Sequence, residues 1–478
     1  YMNLDGIKKV YFMGIGGSSM SSLAEILIRR GYTVAGSDMQ ESATVEHLRK
    51  FGAEVTVGQK AENVEKFAPD IIVKTDAIMD TNPELVYAKE HNIPVYRRAE
   101  LLGYIIDGYK DAIGVAGTHG KTTTTSMITS VFLSAKRDAS SIIGGHMKRI
   151  DSSYLVGKTN EMCIFESCEF KSSFLHFKPR ISVILNVKED HMEYFKTLEN
   201  LINTFKKYLL NTREGGTVVA NAEDENSKKM LEDYTGNVVY FGLEKGDFTA
   251  QNVILTHGLP SFDILHNGEF FAHVDLSVPG RHNVYNALAA AAACFTAGID
   301  ADGIARGLHD YNGTGRRFEY HCKLNGAIVA DDYAHHPDAY RVTFATARDL
   351  GFKRIIAIHQ PHTYSRTKML MDDFVAVLST VDKVLIPPIY AARETNDDYH
   401  IYAQDVVARL KNAEFMPDFN AIADRVKELA QPGDLFITLG CGDIYKAAEL
   451  ITEKYGEEKS GKFVNGVLKG VISEGQNG

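Results

Sequence analysis

Short apolar runs alternate with helical patterns along the first hundred residues of the chain. Residues 9–13 are predicted to form a strand, a glycine turn follows them, and residues 20–30 are predicted to form a helix. Residues 33–35 are the next predicted strand, and the runs IIVKT (71–75) and IPVYRR (93–98) follow later. Because strands and helical stretches alternate, this region predicts a parallel sheet covered by helices.

The same alternation returns in two further series. AIGVAG (112–117) is predicted to be a buried strand that enters a glycine turn, with a helix from Thr122 onward and an alanine-rich helix at 287–295. A third series begins after GTGRRF (313–318). The pattern therefore predicts an α/β protein built from three such series, whose other predicted strands lie at 162–167, 180–187, 215–221, 237–242, 327–333, 354–361, 383–389 and 434–440.

Chain length leads to the same number of domains. The chain has 478 residues, and about 150 residues per domain gives about three domains. We predict domains over residues 1–108, 109–315 and 316–478. The tail over about 456–478 is rich in Gly, Glu, Lys and Ser, and it is predicted to be poorly ordered.

Charge and composition restrict the class of partner. The formal net charge is −10, which gives no reason to expect nucleic acid or an anionic membrane as a partner. The five cysteines include no CxxC pair, which is typical of reduced thiols in a cytoplasm. No apolar run approaches the roughly 18 residues that span a bilayer, and the N-terminus has no signal-peptide pattern. We therefore expect a soluble cytoplasmic protein.

A glycine-rich loop in GVAGTHGKTTTT (114–125) follows an apolar strand and opens a predicted helix. A phosphate-binding loop requires this context, because glycines let backbone amides surround phosphate oxygens and the helix N-terminus adds positive potential. Lys121 would bridge the β- and γ-phosphates of ATP, and Thr122 would hold Mg²⁺ through its hydroxyl. Val115 stands where the strict motif has its first glycine, so a glycine turn with a surface lysine is the alternative. The candidate nucleotide-binding residues here are Gly117, Thr118, His119, Gly120, Lys121, Thr122 and Thr123.

A second glycine turn, GIGGSS (14–19), follows the first predicted strand, and Ser37 and Asp38 come about 20 residues later. A glycine turn for a pyrophosphate and an acid for a ribose are the Rossmann arrangement for a dinucleotide. Ser19 stands in place of the third glycine, so the motif is weak evidence for NAD. A nicotinamide-dependent oxidoreductase would explain this turn but would leave the phosphate loop without a purpose.

Six further motifs accompany the phosphate loop. They are FESCEFKSSFL (165–175), NVKEDHMEYF (186–195), HNVYNALAA (282–290), DDYAHHP (331–337), HQPHTYSRT (359–367) and GCGDIYK (440–446). Together these motifs make the chain resemble the Mur ligase family from about residue 8 to residue 450. The resemblance implies a Rossmann-like N-terminal domain, a central P-loop ATPase-like domain with a mostly parallel sheet, and a Rossmann-like C-terminal domain.

The resemblance also implies an activity: ATP-dependent formation of a carbon–nitrogen bond in peptidoglycan synthesis, through an acyl phosphate that an amine attacks. The QPH segment (360–362) favours members that join L-alanine to UDP-N-acetylmuramate, because members that recycle murein by adding a tripeptide usually have EPRS there. The expected partners are these two substrates, the cofactors are ATP and Mg²⁺, with Mn²⁺ as an alternative, and the protein would be a monomer or a homodimer. Folate–polyglutamate ligases share the ATP loop, but the GIGGSS domain fits them poorly.

Acidic residues and one histidine are implied as metal and catalytic groups. The family places metal ligands at Glu166 and His191, beside the Thr122 hydroxyl, and a hard cation prefers such oxygen ligands together with nucleotide phosphates. Glu169 is a candidate ligand or base for the incoming ammonium. The family segment usually reads EADESD, whereas Cys168, Phe170 and Lys171 stand in its later places here, which removes acidic groups. Lys206 and Lys207 are candidates for the carbamoylated lysine of some relatives, without a choice between them.

The remaining candidate residues bind nucleotide or substrate. HNVYN resembles the adenine-contacting turn of the family, and helix capping by Asn283 is an alternative that is compatible with it. Arg366 offers a planar cation for a carboxylate or phosphate, while Thr363 replaces the arginine that many members have. A nucleotide-binding protein without catalysis would need the loop but not Glu166, His191 or Arg366. The implied nucleotide contacts are His282, Asn283, Asn286, Arg317 and Asp331, with Arg316 as a further cation at the start of the C-terminal domain; the implied catalytic residues are Lys121, Glu166, His191 and Arg366; and the implied substrate contacts are Gly14, Gly16, Gly17, Ser18, Ser37, Asp38, Tyr333, His335, His336, His362 and Arg366.

Overall fold

A computed structural model describes residues 2–76, 78–392 and 394–459. The greater part of the tail that is predicted to be poorly ordered lies outside the described residues. Within the described residues the strands form three sheets. The chain packs into two compact units, one made of the segments up to Gln251, Asp263–Val274 and Tyr285–Tyr311, the other of Asn252–Phe262, Asp275–Val284 and the chain from Asn312 on. The domain limits given above remain a prediction.

The first sheet has the strand order β3-β2-β1-β4-β5, with every neighbouring pair parallel. The order reverses beside β1, and in open α/β sheets ligands bind at such a point, outside the carboxyl ends of the strands. The glycine turn at the end of β1 therefore lies at the predicted binding edge. The elements are β1 (Lys9–Met13), α1 (Ser18–Arg29), β2 (Thr33–Asp38), α2 (Ala43–Phe51), β3 (Glu54–Val57), α3 (Ala61–Phe67), β4 (Ile71–Lys74), α4 (Pro83–Glu90), β5 (Val95–Arg97) and α5 (Arg98–Asp107).

The second sheet has the order β15-β14-β13-β12-β11-β10-β6-β9-β7-β8. Its central strand β6 is parallel to β10 on one side and to β9 on the other, and its residues are almost all buried. The phosphate loop leaves the carboxyl end of this strand. The elements are β6 (Asp111–Ala116), α6 (Lys121–Ser134), β7 (Ser140–Met147), β8 (Ser152–Leu155), β9 (Met162–Glu166), β10 (Ile181–Ile184), α7 (Met192–Phe195), α8 (Leu198–Leu209), β11 (Thr217–Asn221), α9 (Glu225–Leu231), β12 (Asn237–Phe241), β13 (Phe248–Thr256), β14 (Leu259–His266), β15 (Glu269–Asp275), α10 (His282–Thr296) and α11 (Ala301–Asp310), with 3₁₀ turns at Lys148–Ile150 and Phe170–His176.

Helix α6 is buried although its sequence, KTTTTSMITSVFLS, is rich in hydroxyl groups. These hydroxyls are satisfied within the helix, because Thr125, Ser126 and Thr129 each donate to the carbonyl oxygen four residues earlier at 2.8 Å. Each such bond removes the cost of an unpaired buried polar group. The helix that begins at the phosphate loop is therefore anchored in the core despite its polar composition.

The second sheet ends in two hairpins that the sequence analysis missed. His257 and Gly258 join β13 to β14, and Asn267 and Gly268 join β14 to β15. All four residues have positive φ, the conformation of the two-residue turns that join antiparallel strands. The Asn-Gly pair is a strong hairpin signal and could have revealed the second turn.

The third sheet has the order β20-β19-β18-β21-β17-β16-β22. Strand β16 is antiparallel to both its neighbours, and the other pairs are parallel. The elements are β16 (Glu319–Leu324), β17 (Ala327–Asp332), α12 (Pro337–Asp349), β18 (Arg354–His359), α13 (Tyr364–Met369), α14 (Met371–Leu378), β19 (Lys383–Ile386), α15 (Ala403–Arg409), β20 (Ala413–Phe415), α16 (Phe419–Leu429), β21 (Asp434–Leu439), α17 (Tyr445–Tyr455) and β22 (Glu458–Lys459).

The α/β fold class is confirmed, and the sheets are mostly parallel. Among the helices of the described residues, none combines the length and the apolar character that a membrane crossing requires.

Candidate active site

The phosphate loop occupies the turn between β6 and α6. Gly117 and Gly120 both have positive φ, 137° and 89°, which a residue with a side chain adopts only with strain. Gly120 is the residue before the first turn of α6, so the N–H groups at the head of the helix face the loop. The loop therefore has the backbone shape and the helix end that an anionic group requires.

Lys121, in the phosphate loop, forms an ion pair with the carboxylate of Glu169, which follows β9. Its Nζ donates to both oxygens of Glu169, at 3.1 and 2.9 Å, and to the carbonyls of Gly117 and Thr118 at 2.5 and 3.2 Å. Burial by itself lowers the pKa of Lys121, but the negative charge of Glu169 outweighs it, so the pKa is raised above its usual value and the ammonium stays charged. The lysine is thus held over the loop by an anion of the protein.

Glu166 lies beside the first helical threonine. The Thr122 hydroxyl donates to Glu166 Oε2 at 2.9 Å, and the backbone N–H of Gly144 donates to the same oxygen at 3.0 Å. A side chain at Gly144 would overlap this carboxylate, which explains the glycine. Two oxygen groups of the predicted metal site are therefore brought together. Gly144 was missed by the sequence analysis, because nothing in the GGHM run marks it as a contact of Glu166.

The segment that contains His191 borders the same loop through Asn186. The Asn186 side chain accepts from the His119 N–H at 2.9 Å and donates to the His119 carbonyl at 3.0 Å. Thr118 is likewise fixed by Lys188, whose N–H donates to the Thr118 hydroxyl at 2.9 Å. Asn186 was quoted only as part of a motif, and its role as a clamp on the loop emerged from the structure.

His191 follows this clamp with a positive φ of 54°. Its ring packs against Phe170, with ring centroids 4.7 Å apart, and Phe170 comes directly after Glu169. Within the described residues there is no cluster of three or more His, Cys, Asp or Glu side chains able to hold a metal ion. The role of His191 as a metal ligand stays a prediction.

The two candidates for a carbamoylated lysine lie in α8. Lys206 donates to Asp233 at 3.3 Å, and Lys207 is exposed. Neither of these observations places a lysine beside the phosphate loop, and this role stays a prediction.

Two asparagines of the HNVYN motif lie in α10. The Thr124 hydroxyl donates to Asn286 Oδ1 at 3.3 Å, and this oxygen leaves no space for a side chain at Gly120. Asn286 therefore packs directly against the phosphate loop. Asn283 lies inside the helix, and its side-chain N–H donates to the Pro279 carbonyl at 2.7 Å. His282 is the first residue of the helix, and its contact with adenine stays a prediction.

The glycine turn of the first sheet is tied to the end of β2. The N–H groups of Gly14 and Ile15 both donate to the Ser37 carbonyl, at 2.8 and 3.0 Å, and the Gly16 N–H donates to Asp38 Oδ2 at 2.9 Å. Asp38 thus shapes the turn, and the buried Ser37 side chain donates to Glu84 at 2.6 Å. Contacts of this turn, Ser37 and Asp38 with a substrate stay predictions. Gly17 precedes α1 as its N-terminal cap, and the side chain of Ser18 lies outside the described part of the chain.

At the carboxyl end of β17, Arg316 binds the GCGDIYK loop (440–446). Its guanidinium donates to Asp331 at 2.9 Å and to the carbonyls of Gly440 and Gly442 at 2.6 and 3.3 Å. Asp331 also accepts from the Thr438 hydroxyl at 2.6 Å, so this buried carboxylate is engaged within the protein. Arg316 is therefore a structural cation of this edge.

The residues after Asp331 surround the same edge. Burial raises the pKa of Asp332 to about 6. Tyr333 faces the guanidinium of Arg317 at 5.2 Å, and His335 Nδ1 lies 3.1 Å from the Tyr333 carbonyl oxygen. His336 is the N-terminal cap of α12, since its ring nitrogen accepts from the Asp338 N–H at 3.3 Å. Contacts of these side chains with substrate or nucleotide stay predictions.

His362 and Arg366 flank a helix start beyond β18. The ring of His362 stacks on Tyr390 with centroids 5.6 Å apart, and burial together with the Arg366 charge lowers the pKa of His362 to about 4. Its imidazole is therefore neutral near pH 7 and does not repel a cationic amine. Thr363 caps α13, with its hydroxyl accepting from the Arg366 N–H at 3.3 Å. The threonine that replaces the arginine of many members thus has a structural role.

Comparison with known proteins assigns this arrangement to a class. The chain matches the family models described as Mur ligase family, catalytic domain, over residues 9–110, Mur ligase middle domain over 115–294, and Mur ligase, glutamate ligase domain over 316–442. Together with the relatives below, these matches show that the chain belongs to the Mur ligase family.

The similar curated proteins include two named UDP-N-acetylmuramate–L-alanine ligase. The protein of Clostridium tetani is 42% identical over 450 residues, which cover 93% of this chain and 98% of that protein. The protein of Caldicellulosiruptor saccharolyticus is 41% identical over 455 residues, covering 94% of this chain and 99% of that protein.

A solved structure agrees with these relatives. The UDP-N-acetylmuramate–alanine ligase of Thermotoga maritima has a TM-score of 0.78 and 30% identity, with 93% of this chain and 98% of that chain covered. A murein peptide ligase of Psychrobacter arcticus shares the fold with a TM-score of 0.72 at 22% identity, over 95% of this chain and 100% of that one.

Proposed function

We propose that this chain joins L-alanine to the carboxylate of UDP-N-acetylmuramate and converts ATP to ADP and phosphate. The observation that carries the proposal is the arrangement of Lys121, Thr122, Glu166 and Glu169 around the head of α6. A cationic lysine, two carboxylates and a helix N-terminus meet the needs of phosphoryl transfer, which is mostly positioning and charge stabilisation. The names of the relatives supply the substrates.

The reaction proceeds in two steps. The sugar-nucleotide carboxylate attacks the γ-phosphorus of ATP, the bond between the γ-phosphorus and the bridging oxygen breaks, and ADP leaves with the electron pair. The alanine amine then attacks the acyl-phosphate carbon, and phosphate leaves as the amide forms. Before this attack the ammonium must lose a proton, and Glu169 is the proposed acceptor.

ATP binding requires Lys121 to exchange partners. The phosphate oxygens take the place of the Glu169 carboxylate at Nζ, which leaves Glu169 free to accept a proton. In this proposal the N–H groups of the loop and of the first turn of α6 hold the phosphates, and the HNVYN segment, with Arg317 and Asp331, contacts the nucleotide.

Mg²⁺ fits the oxygen groups at this position. The Thr122 hydroxyl and Glu166 Oε2 are 2.9 Å apart, and both are the oxygen ligands that Mg²⁺ prefers. The ion, when bound, neutralises charge on the transferred phosphoryl group. Nucleotide oxygens and water would complete its coordination, and Mn²⁺ accepts the same ligands.

The other two sheets supply the substrates. The glycine turn after β1 holds the uridine diphosphate, and His362 and Arg366 hold the amino acid, with Arg366 paired to its carboxylate. We accordingly propose that the domains are residues 1–108, 109–315 and 316–478. Because ATP and UDP-linked precursors of peptidoglycan are cytoplasmic metabolites, the enzyme acts in the cytoplasm.

Phosphate release with ATP, Mg²⁺, UDP-N-acetylmuramate and L-alanine tests the proposal, each component being omitted in turn. We expect release that requires all four and a product heavier by one alanine residue. Release only when a tripeptide replaces alanine would assign the chain to murein recycling instead. Phosphate release in the absence of both L-alanine and the tripeptide would contradict the assignment of the chain as a ligase.

A further inference from the structure

Glu84 is a fully buried carboxylate in the first turn of α4. One of its oxygens accepts from the Tyr11 hydroxyl at 2.7 Å and from the Asn63 side chain at 2.9 Å. The other accepts from the Ser37 hydroxyl at 2.6 Å. A buried carboxylate is costly unless donors surround it, and these donors come from β1, β2 and α3. Glu84 therefore connects four elements of the first sheet and its helices.

The bond to Ser37 leads directly to the glycine turn. Ser37 is the residue whose carbonyl accepts the N–H groups of Gly14 and Ile15, and the next residue, Asp38, accepts the N–H of Gly16. Gly14 has a φ of 81°, so the turn contains a residue with wide conformational freedom. The end of β2 is thus the part of the fold that fixes this turn, and Glu84 is hydrogen-bonded to that end through the Ser37 hydroxyl.

The two hydroxyl partners of Glu84 differ in position. Tyr11 lies in the middle of β1, two residues before its end, whereas Ser37 pairs with Met13 at the last position of that strand. Both bonds satisfy the same carboxylate, but only the one from Ser37 is made by a residue that also binds the turn. Loss of the Tyr11 bond should therefore affect mainly stability, whereas loss of the Ser37 bond should also affect ligand binding.

We propose that Glu84 is a positioning residue for the sugar nucleotide: through Ser37 it sets the backbone N–H groups of residues 14–16 in the geometry that a nucleoside diphosphate requires. The inference rests on the proposed function of the first sheet. A carboxylate beneath an anion site would repel the pyrophosphate, so geometry rather than charge must be its contribution. A glutamine in its place keeps a hydrogen-bonding group for Ser37, because the serine hydroxyl can turn and accept instead of donate.

Calorimetric titration of UDP-N-acetylmuramate into the full-length protein and four variants tests this. Ser37→Ala and Glu84→Ala remove the link, and we expect each to raise the Kd about tenfold, the effect of one lost hydrogen bond to a charged group. Glu84→Gln should keep the Kd within about threefold of the unchanged protein. The matched control is Tyr11→Phe, which removes the other hydroxyl from the same carboxylate and should lower the melting temperature without changing the Kd.

Other outcomes are equally informative. A Kd in Ser37→Ala equal to that of the unchanged protein overturns the inference even where Glu84→Ala fails to fold, and so does an equal rise in Tyr11→Phe. A rise in the KM for ATP that matches the rise for the sugar nucleotide would also overturn it, since a general loss of structure explains both. If the unchanged protein does not bind the sugar nucleotide at all, the proposed function of the first sheet fails, and this inference fails with it.

Discussion

The ammonium nitrogen of Lys121 lies 2.9 Å from a carboxylate oxygen of Glu169, and both side chains are largely buried. The cation that the phosphate loop offers to a nucleotide is therefore already paired in the protein. In the proposed mechanism, nucleotide binding exchanges one anion for another at the same nitrogen, and the displaced Glu169 carboxylate becomes the proton acceptor.

Glu169→Gln removes this competing anion. We expect the Kd for a non-hydrolysable ATP analogue to fall by roughly threefold to tenfold, because Lys121 no longer has to leave an ion pair. Turnover should fall by about a hundredfold if Glu169 accepts the ammonium proton. Calorimetry and the phosphate-release assay measure the two effects. Glu161→Gln, which removes an exposed carboxylate paired with Lys110 at 3.0 Å, is the control and should change neither. Weaker analogue binding in Glu169→Gln would contradict the exchange.

Lys121→Ala tests the other side of the pair. Turnover should be lost, while UDP-N-acetylmuramate still binds, because the sugar nucleotide is assigned to the first sheet. Calorimetry with the sugar nucleotide alone makes the measurement. Loss of that affinity in Lys121→Ala would show that the two ligand sites are not separate.

Gly144→Ala places a methyl group against the Glu166 carboxylate. Glu166 must then move away from the Thr122 hydroxyl, so we expect kcat to fall by about tenfold to a hundredfold and the Mg²⁺ concentration needed for half-maximal rate to rise. Rates measured across a Mg²⁺ titration provide the test. Gly108→Ala is the control, because a methyl group there comes no closer than 3.3 Å to a neighbouring atom, the Ile105 carbonyl oxygen, and requires a shift of only a few tenths of an ångström. An unchanged Mg²⁺ dependence would remove Glu166 from the metal site.

Asp38→Ala removes the acceptor of the Gly16 N–H. The turn after β1 then loses a constraint, and the KM for UDP-N-acetylmuramate should rise about tenfold while the KM for ATP stays within twofold. Asp70→Ala is matched to it, since Asp70 accepts the N–H groups of Lys8 and Lys9 at the opposite end of the same strand. The control should lower stability and leave both KM values unchanged. Equal KM shifts for the two substrates in Asp38→Ala would count against the assignment of this turn.

The buried His359 should make the stability of the protein depend on pH. Burial lowers its pKa from 6.5 to about 3, so between these values the unfolded chain binds a proton that the folded chain does not. The free energy of unfolding should therefore fall as pH falls from 6.5 towards 3, by about 1.4 kcal/mol per pH unit from this residue. His359→Phe should remove that part of the slope in urea unfolding experiments at several pH values.

Tyr340→Phe is the control for this measurement. It removes the hydroxyl that lies 2.6 Å from His359 Nδ1 and leaves the imidazole in place. Stability should change by a similar amount at every pH, with the slope retained. A slope in His359→Phe equal to that of the unchanged protein would mean that other groups determine the acid sensitivity.

The sequence by itself determined the α/β class, most of the parallel strands and the family. Strand β6 and the loop after it could be predicted because a buried strand, glycines, a lysine and a helix start occur in one continuous segment. Local conformation follows from such a segment, since glycine freedom and helix ends are properties of neighbouring residues. The motif around Glu166 could be recognised for the same reason, because it too is one continuous segment that follows a buried strand.

Only the tertiary structure decided which groups meet across the chain. Glu169 pairs with Lys121 from 48 residues away, and Glu84 meets Ser37 from 47 residues away. The packing of strands and helices brings such pairs together, and no spacing in the sequence encodes it. The same packing gives Ser37 a buried hydrogen bond and makes His336 and Thr363 helix caps, which the sequence did not reveal. The contacts of Ser37 and His336 with substrate stay predictions.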